Sequence, residues 1–186
     1  MLTCVIGGAG FIGSYLVPAL KSTGRDVLVL GRRSSRPDSV LTKAKYVCCD
    51  YGNRCDLAKH LVNCGEIVDL AYATVPKTSF DNPIFDLQAN VEASVGLLEE
   101  SAKLADLRRL VIVSSGGTVY GPAKRLPIIE EDPTNPISPY GITKLTIERY
   151  AMLFYQLYQV PVSIVRPANA YGHGQKPFTG QGFIAT

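Results

Sequence analysis

The feature that most constrains this chain is the run Gly7-Gly8-Ala9-Gly10-Phe11-Ile12-Gly13, placed directly after the apolar segment Leu2–Ile6. It fits a G-x-G-x-x-G spacing from Gly8 and a G-x-x-G-x-x-G spacing from Gly7. One glycine makes the tight turn, another lets a pyrophosphate approach the backbone, and the last lets helix and strand pack closely. Phosphate oxygens can then rest on the exposed N–H groups that open the following helix. A glycine turn alone joins strands to helices in many folds. At the first strand–helix junction of a βαβ unit it points to dinucleotide binding.

The rest of the chain supplies that unit. Phe11–Thr23 has helical spacing through Ile12, Leu16, Ala19 and Leu20, with Gly24 where a helix stops and Pro18 as an internal fault. Val27–Leu30, Lys45–Cys49, Ile67–Ala71, Leu110–Ser114 and Val162–Val165 read as further buried strands. Asp56–Val62, Pro83–Ala105 and Tyr140–Tyr158 read as helices, the second with an apolar stripe through Val91, Val95, Leu98, Ala102 and Ala105. Gly121–Pro139 holds five prolines and reads as an irregular loop. Short apolar strands alternating with helices predict a doubly wound α/β fold, a mostly parallel, Rossmann-like sheet. No apolar run approaches the roughly 20 residues that span a bilayer, and a net charge of +3 is too mild to argue for nucleic acid.

The second predicted strand is followed by Gly31-Arg32-Arg33, where an acidic residue would ordinarily bond the ribose hydroxyls of NAD. Two guanidinium groups suit a 2′-phosphate better, so the sequence leans toward NADP; two solvated loop arginines are the bland alternative. Asp50, after the third strand, is placed to meet the adenine end, or serves as an ordinary turn aspartate. Tyr140 and Lys144 stand at i and i+4, on one face of a helix. A free phenol has a pKa near 10, and a neighbouring ammonium plus an oxidised nicotinamide would stabilise its phenolate. Such a tyrosine can take a proton from a hydroxyl while hydride leaves the same carbon.

Taken with Asn90, Ser114-Ser115-Gly116-Gly117-Thr118-Val119-Tyr120-Gly121 and Arg166-Pro-Ala-Asn169-Ala-Tyr171-Gly172, these motifs resemble the extended short-chain dehydrogenase/reductase family in its NAD-dependent epimerase/dehydratase branch. The resemblance covers nearly the whole chain. It implies Tyr140 as acid/base, Lys144 as its partner and a contact to the nicotinamide ribose, and Asn169 as a contact to a nucleotide-sugar. Gly7, Gly10, Phe11, Ile12, Gly13, Asp50, Tyr51 and Ala71 are the further cofactor contacts it implies, beside Arg32 and Arg33. It also implies a homodimer through helices 83–105 and 140–158. The function it implies is NAD(P)-dependent C4 epimerisation of a nucleotide-sugar. A related NADP-dependent reductase and a non-catalytic NAD(P)-binding module are the alternatives.

Two departures matter. The hydroxyl that usually stands four residues before the tyrosine of V-Y-G is replaced by Gly116, so Thr118, then Ser115, is the substitute. Gly117 and Thr118 stand where sugar-nucleotide dehydratases carry an Asp-Glu pair, which disfavours dehydration. Only two histidines are present, so no His-based triad or zinc site is assembled from sequence, and no metal is expected. Glu130-Glu131-Asp132 reads as a solvated loop, and Phe154, Tyr155 and Tyr158 as core or subunit interface. Five cysteines without C-x-x-C spacing read as buried thiols, and the N-terminus lacks a basic leader, so a cytoplasmic location is expected. Against the family pattern, residues 1–172 form the dinucleotide-binding domain and 173–186 begin a substrate region that is cut short. Gly180–Thr186 would open another helix.

Overall fold

A computed structural model of the chain describes residues 1–35 and 44–175. The helix expected over Gly180–Thr186 lies outside them. The first half comprises β1 (Leu2–Ile6), α1 (Phe11–Ser22), β2 (Asp26–Gly31), β3 (Lys45–Cys48) and α2 (Arg54–Leu61). The second comprises β4 (Cys64–Asp69), α3 (Pro76–Asp81), α4 (Pro83–Ser101), β5 (Arg109–Val113), α5 (Pro139–Tyr158) and β6 (Val162–Val165). The strands form one sheet in the order β3-β2-β1-β4-β5-β6, and every neighbouring pair is parallel. This is the doubly wound α/β order expected from the alternation of strand and helix.

Period-two alternation sends the strand side chains to two cores. Cys4, Ile6, Leu28, Leu30, Ile67, Leu110 and Ile112 face α2, α4 and α5, meeting Leu57, Leu61, Leu97, Leu98 and Ile147. Val5, Val27 and Val29 point the other way, against Val17 of α1. Burial on both faces is why these strands read as unbroken apolar runs. The glycine turn draws β1 and α1 together: a Cβ at Gly13 would lie 2.2 Å from Gly8 O, so only glycine fits. α1 continues through Pro18, whose ring is exposed, and Gly24 follows the helix with φ +78°.

Three expectations are corrected and one helix is added. β4 begins at Cys64 rather than Ile67 and ends at Asp69, because pairing with β1 holds the polar Gly65-Glu66 segment in the sheet. α3 had no sequence signal: it has six residues, and its Thr78 Oγ1 accepts from Val75 N at 3.0 Å. α4 ends at Ser101, and its buried face runs through Asp86, Asn90, Ala93, Leu97 and Ser101. That is rotated by about one residue, or about 100°, from the apolar stripe, because polar residues hold core positions. Of that stripe only Leu98 is fully buried, while Ile84 and Leu87 are exposed. The cysteines divide, with Cys4, Cys49 and Cys64 buried but Cys48 and Cys55 exposed, since β3 is an edge strand and Cys55 lies in the first turn of α2. Among the described residues no helix is long and apolar enough to cross a membrane.

Candidate active site

The chain leaves β1 toward β2 and β4 toward β5, so a crevice opens beyond the C-terminal ends of these two central strands. A cavity of about 620 Å³ lies there. Gly7, Gly10, Phe11, Ile12 and Gly13 line one end of it. The N-cap of α1 is Gly10, which offers no side-chain cap, and its first turn holds no acidic residue. Among the described residues, the first N–H groups of this twelve-residue helix thus have no side-chain cap competing for them, the condition that favours a bound anion. The donor set fits the pyrophosphate of a dinucleotide.

Ser115, Thr118, Tyr140, Lys144 and Asn169 line the same cavity from the other side. Pro139 starts α5, Ser138 Oγ accepts from Gly141 N at 3.1 Å, and Tyr140 N donates to Ser79 Oγ of α3 at 3.1 Å. Tyr140 and Lys144 therefore occupy the first two turns of a helix held at both its cap and its flank. Lys144 is buried, with Nζ donating to Val113 O at 2.8 Å and lying 3.9 Å from the centre of the Tyr72 ring. The Tyr72 and Tyr140 rings meet edge to face at 4.9 Å.

Burial lowers the Lys144 pKa to about 8, against the opposing pull of Asp69, Asp86 and Glu148. Burial, then the Asp86 carboxylate, pushes the Tyr140 phenol up to about 12. A lysine at i+4 does not by itself give a ready phenolate here. Its ammonium is bonded to Val113 and covered by Tyr72, 5.8 Å from the Tyr140 ring centre.

Gly116 has a structural reason: a Cβ there would come within 2.7 Å of Arg166 O, where the ends of β5 and β6 converge. Gly116 N donates to Pro167 O at 2.8 Å. Thr118 Oγ1 is buried and has no hydrogen-bond partner among the described residues. Asn169 is exposed on the loop after β6.

Behind this wall, Asn90, Ser114, Tyr120 and Arg166 belong to motifs the sequence singled out, whereas the two carboxylates they meet, Asp86 and Glu148, were missed. Asp86 is fully buried; its Oδ1 accepts from Thr74 Oγ1, and among the described residues Oδ2 meets no hydrogen-bond partner within bonding geometry. Asn90 donates from Nδ2 to Asp86 O at 2.7 Å and accepts at Oδ1 from Ala73 N at 2.8 Å, so it ties α4 to the chain leaving β4. Buried Glu148 accepts from Ser114 Oγ and pairs with Arg166 at 2.5 Å, while Arg166 Nη1 donates to Tyr120 Oη at 2.8 Å. One carboxylate thus joins three separate sequence motifs. Glu148 and Asp86–Asn90 did carry a signal, being spaced by four on helix faces that continue Tyr140–Lys144 or each other. Tyr72 carried none.

Other candidates lie away from the cavity wall. Arg32 and Arg33 are exposed after β2, and among the described residues neither guanidinium has an ion-pair partner. Asp50 is exposed and accepts from Gly52 N at 3.1 Å, the bond of an ordinary turn aspartate. Tyr51 donates to Asp69 Oδ2 at 2.7 Å, which occupies its hydroxyl. Ala71 N donates to Asp69 Oδ1 at 3.0 Å, directly beyond β4. His173 is an exposed loop residue whose carbonyl accepts from Tyr15 Oη.

Comparison with known proteins places the chain among relatives of one family and fold. Residues 3–186 match the model of the NAD dependent epimerase/dehydratase family. A UDP-glucose 4-epimerase of Mycolicibacterium smegmatis is 38% identical, over all of this chain and 61% of that protein. The structure of a UDP-glucose 4-epimerase with UDP-glucose from Thermotoga maritima superposes with a TM-score of 0.92 at 31% identity, covering 100% of this chain and 61% of that one. A Thermus thermophilus UDP-glucose 4-epimerase complex with NAD gives 0.87 at 29% identity, over 95% and 58%. The chain spans about 60% of the length of these relatives.

Proposed function

The chain belongs to the NAD dependent epimerase/dehydratase family, and from that premise we propose that it carries the cofactor and acid/base half of a nucleotide-sugar C4 epimerase. The observation that carries this reading is the meeting of Tyr140, Lys144, Ser115 and Thr118 with the glycine turn in one cavity. A nicotinamide dinucleotide held along Gly7, Gly10, Phe11, Ile12 and Gly13 would supply reversible hydride transfer at the sugar carbon. Once deprotonated, Tyr140 takes the proton of the sugar C4 hydroxyl as hydride leaves that carbon, and gives it back when hydride returns. With its phenol near 12 it carries a proton at neutral pH, and it needs positive charge nearby to release it. Lys144 supplies part of that charge; Thr118 Oγ1, with Ser115 behind it, holds the same sugar oxygen in place of the hydroxyl absent at Gly116. Asn169 touches the nucleotide-sugar.

The test uses Tyr140→Phe in a form of the protein that turns over UDP-glucose. The expected result is a fall in kcat of about 10²–10⁴-fold with dinucleotide affinity unchanged. A variant turning over at the wild-type rate sinks the assignment. Gly116 favours one other reading, a module that binds the dinucleotide without turnover. Calorimetric binding of dinucleotide but not of UDP-glucose supports that module.

The cofactor is a nicotinamide dinucleotide. Exposed Arg32 and Arg33 support NADP, whereas the family's description and the Thermus neighbour support NAD; competing titrations of the two decide it. A homodimer through α4 and α5 is supported by Ile84 and Leu87 on one helix and Leu153 and Leu157 on the other, all exposed. A sedimentation coefficient of a monomer at micromolar concentration removes the dimer.

A further inference from the structure

Cys49 follows β3 directly, with its N–H donating to Gly31 O at 2.9 Å and its side chain buried among Leu57 and Leu61. Asp56 and His60 stand at i and i+4 on α2, the helix that packs over this thiol. The Cys49 sulfur, an Asp56 carboxylate oxygen and a His60 ring nitrogen all lie within 4.8 Å of one another, and Asp56 Oδ1 is 3.8 Å from His60 Nε2. Among the described residues this is the one group of three such donors to converge so closely.

We propose that Cys49, Asp56 and His60 form a binding site for a borderline-soft divalent cation of the Zn²⁺ or Co²⁺ class, separate from the dinucleotide cavity. A tetrahedral ion with ligands about 2.0–2.3 Å away holds them roughly 3.3–3.8 Å apart, so closure asks for a contraction of about 1 Å. Rotamer adjustment of Asp56 and His60, whose side chains are about one-third and one-quarter exposed, can supply it. The donor set decides the class of ion. A thiolate with an imidazole selects Zn²⁺-type metals, whereas Mg²⁺ and Ca²⁺ want oxygen alone. Three protein ligands leave the fourth position to water on the exposed side.

Two groups compete with the metal. Lys59 Nζ lies 3.8 Å from the same Asp56 oxygen, but it is mostly exposed and free to swing into solvent. The Cys49 proton is the other: burial and Asp56 push that thiol up to about 12, so the metal–sulfur bond forms as the S–H proton passes to solvent. No electron changes hands. Bound metal would clamp the end of β3 to α2 and fix the turn that begins at Asp50.

Anaerobic titration of the reduced chain with Co²⁺ tests the site, because cobalt–thiolate coordination gives a near-ultraviolet charge-transfer band and tetrahedral visible bands. One equivalent is expected to develop both, and Zn²⁺ to erase them. Cys49→Ser should abolish the charge-transfer band, and His60→Gln, on the partly exposed helix face, should weaken binding by about tenfold or more. Cys48→Ser and Cys55→Ser, at the exposed thiols, should change nothing. No band in the wild-type chain overturns the proposal. So does a band that survives Cys49→Ser, or one that His60→Gln leaves at full affinity.

Discussion

The two halves of the sheet contribute to the cavity with different material. Around β1–β3 the wall is backbone: glycines and the open N–H groups of α1, with no charged side chain there among the described residues. Around β4–β6 it is side chain: Lys144, Tyr72 and Tyr140, backed by Asp86, Asn90 and Glu148 in the interior. A backbone site fails when a Cβ intrudes and is otherwise indifferent to which side chains flank it. A side-chain site buries polar groups at a cost, and that cost is what tunes a pKa.

Glu148→Ala strikes the side-chain half hardest. It leaves the Arg166 guanidinium and Ser114 without their acceptor, and is expected to lower stability by about 3–5 kcal/mol in a urea melt. A loss below about 1 kcal/mol would mean that the Tyr120 contact alone satisfies Arg166. Gly13→Val strikes the backbone half, since its first carbon falls on Gly8 O. Dinucleotide affinity by calorimetry should drop about 100-fold, or about 2.7 kcal/mol, with the sheet intact by circular dichroism. Unchanged affinity would show that the turn does not carry the phosphates.

Lys144→Met separates the halves by sign. The pKa of the buried ammonium is held near 8 against 10.5, so the folded state bears the cost of its charge below pH 8. Between about 8 and 10.5 the unfolded chain binds the extra proton, and the wild-type protein gains stability as pH rises. The variant should therefore be more stable at pH 7, by about 2 kcal/mol after the lost bond to Val113 O is set against it, and the advantage should vanish toward pH 10.5. A destabilised variant at pH 7 would refute that balance. The smallest effect lies at the rim: Arg32→Ser with Arg33→Ser should weaken NADP⁺ about tenfold and leave NAD⁺ unchanged. Equal losses for both dinucleotides would leave the guanidiniums no 2′-phosphate to meet.

Strand positions were legible because burial on both faces writes an unbroken apolar run, and all but β4 match to within a residue or two. α4 was misread for the reason that makes it useful. Asp86, Asn90 and Ser101 face the core, so its hydrophobic stripe points elsewhere and leaves Ile84 and Leu87 outside. The site divided the same way. The glycine turn and the Tyr140–Lys144 pair stand out because their geometry is local, whereas Tyr72 and Asp86 reach the lysine only across the fold.

What the chain determines by itself is therefore whatever spacing and steric size dictate within a few residues. A glycine must stand where a Cβ would strike the turn, and a phenol and an ammonium four residues apart must share a helix face. Tertiary structure alone decided the sign of the Tyr140 shift, the need for glycine at 116 and the orphan hydroxyl of Thr118. Each depends on what a distant segment removes from water or brings within bonding distance: Asp86 from α4 for the phenol, the Arg166 carbonyl for the glycine, and the closing of the cavity wall for the threonine. Desolvation and long-range approach have no period in sequence.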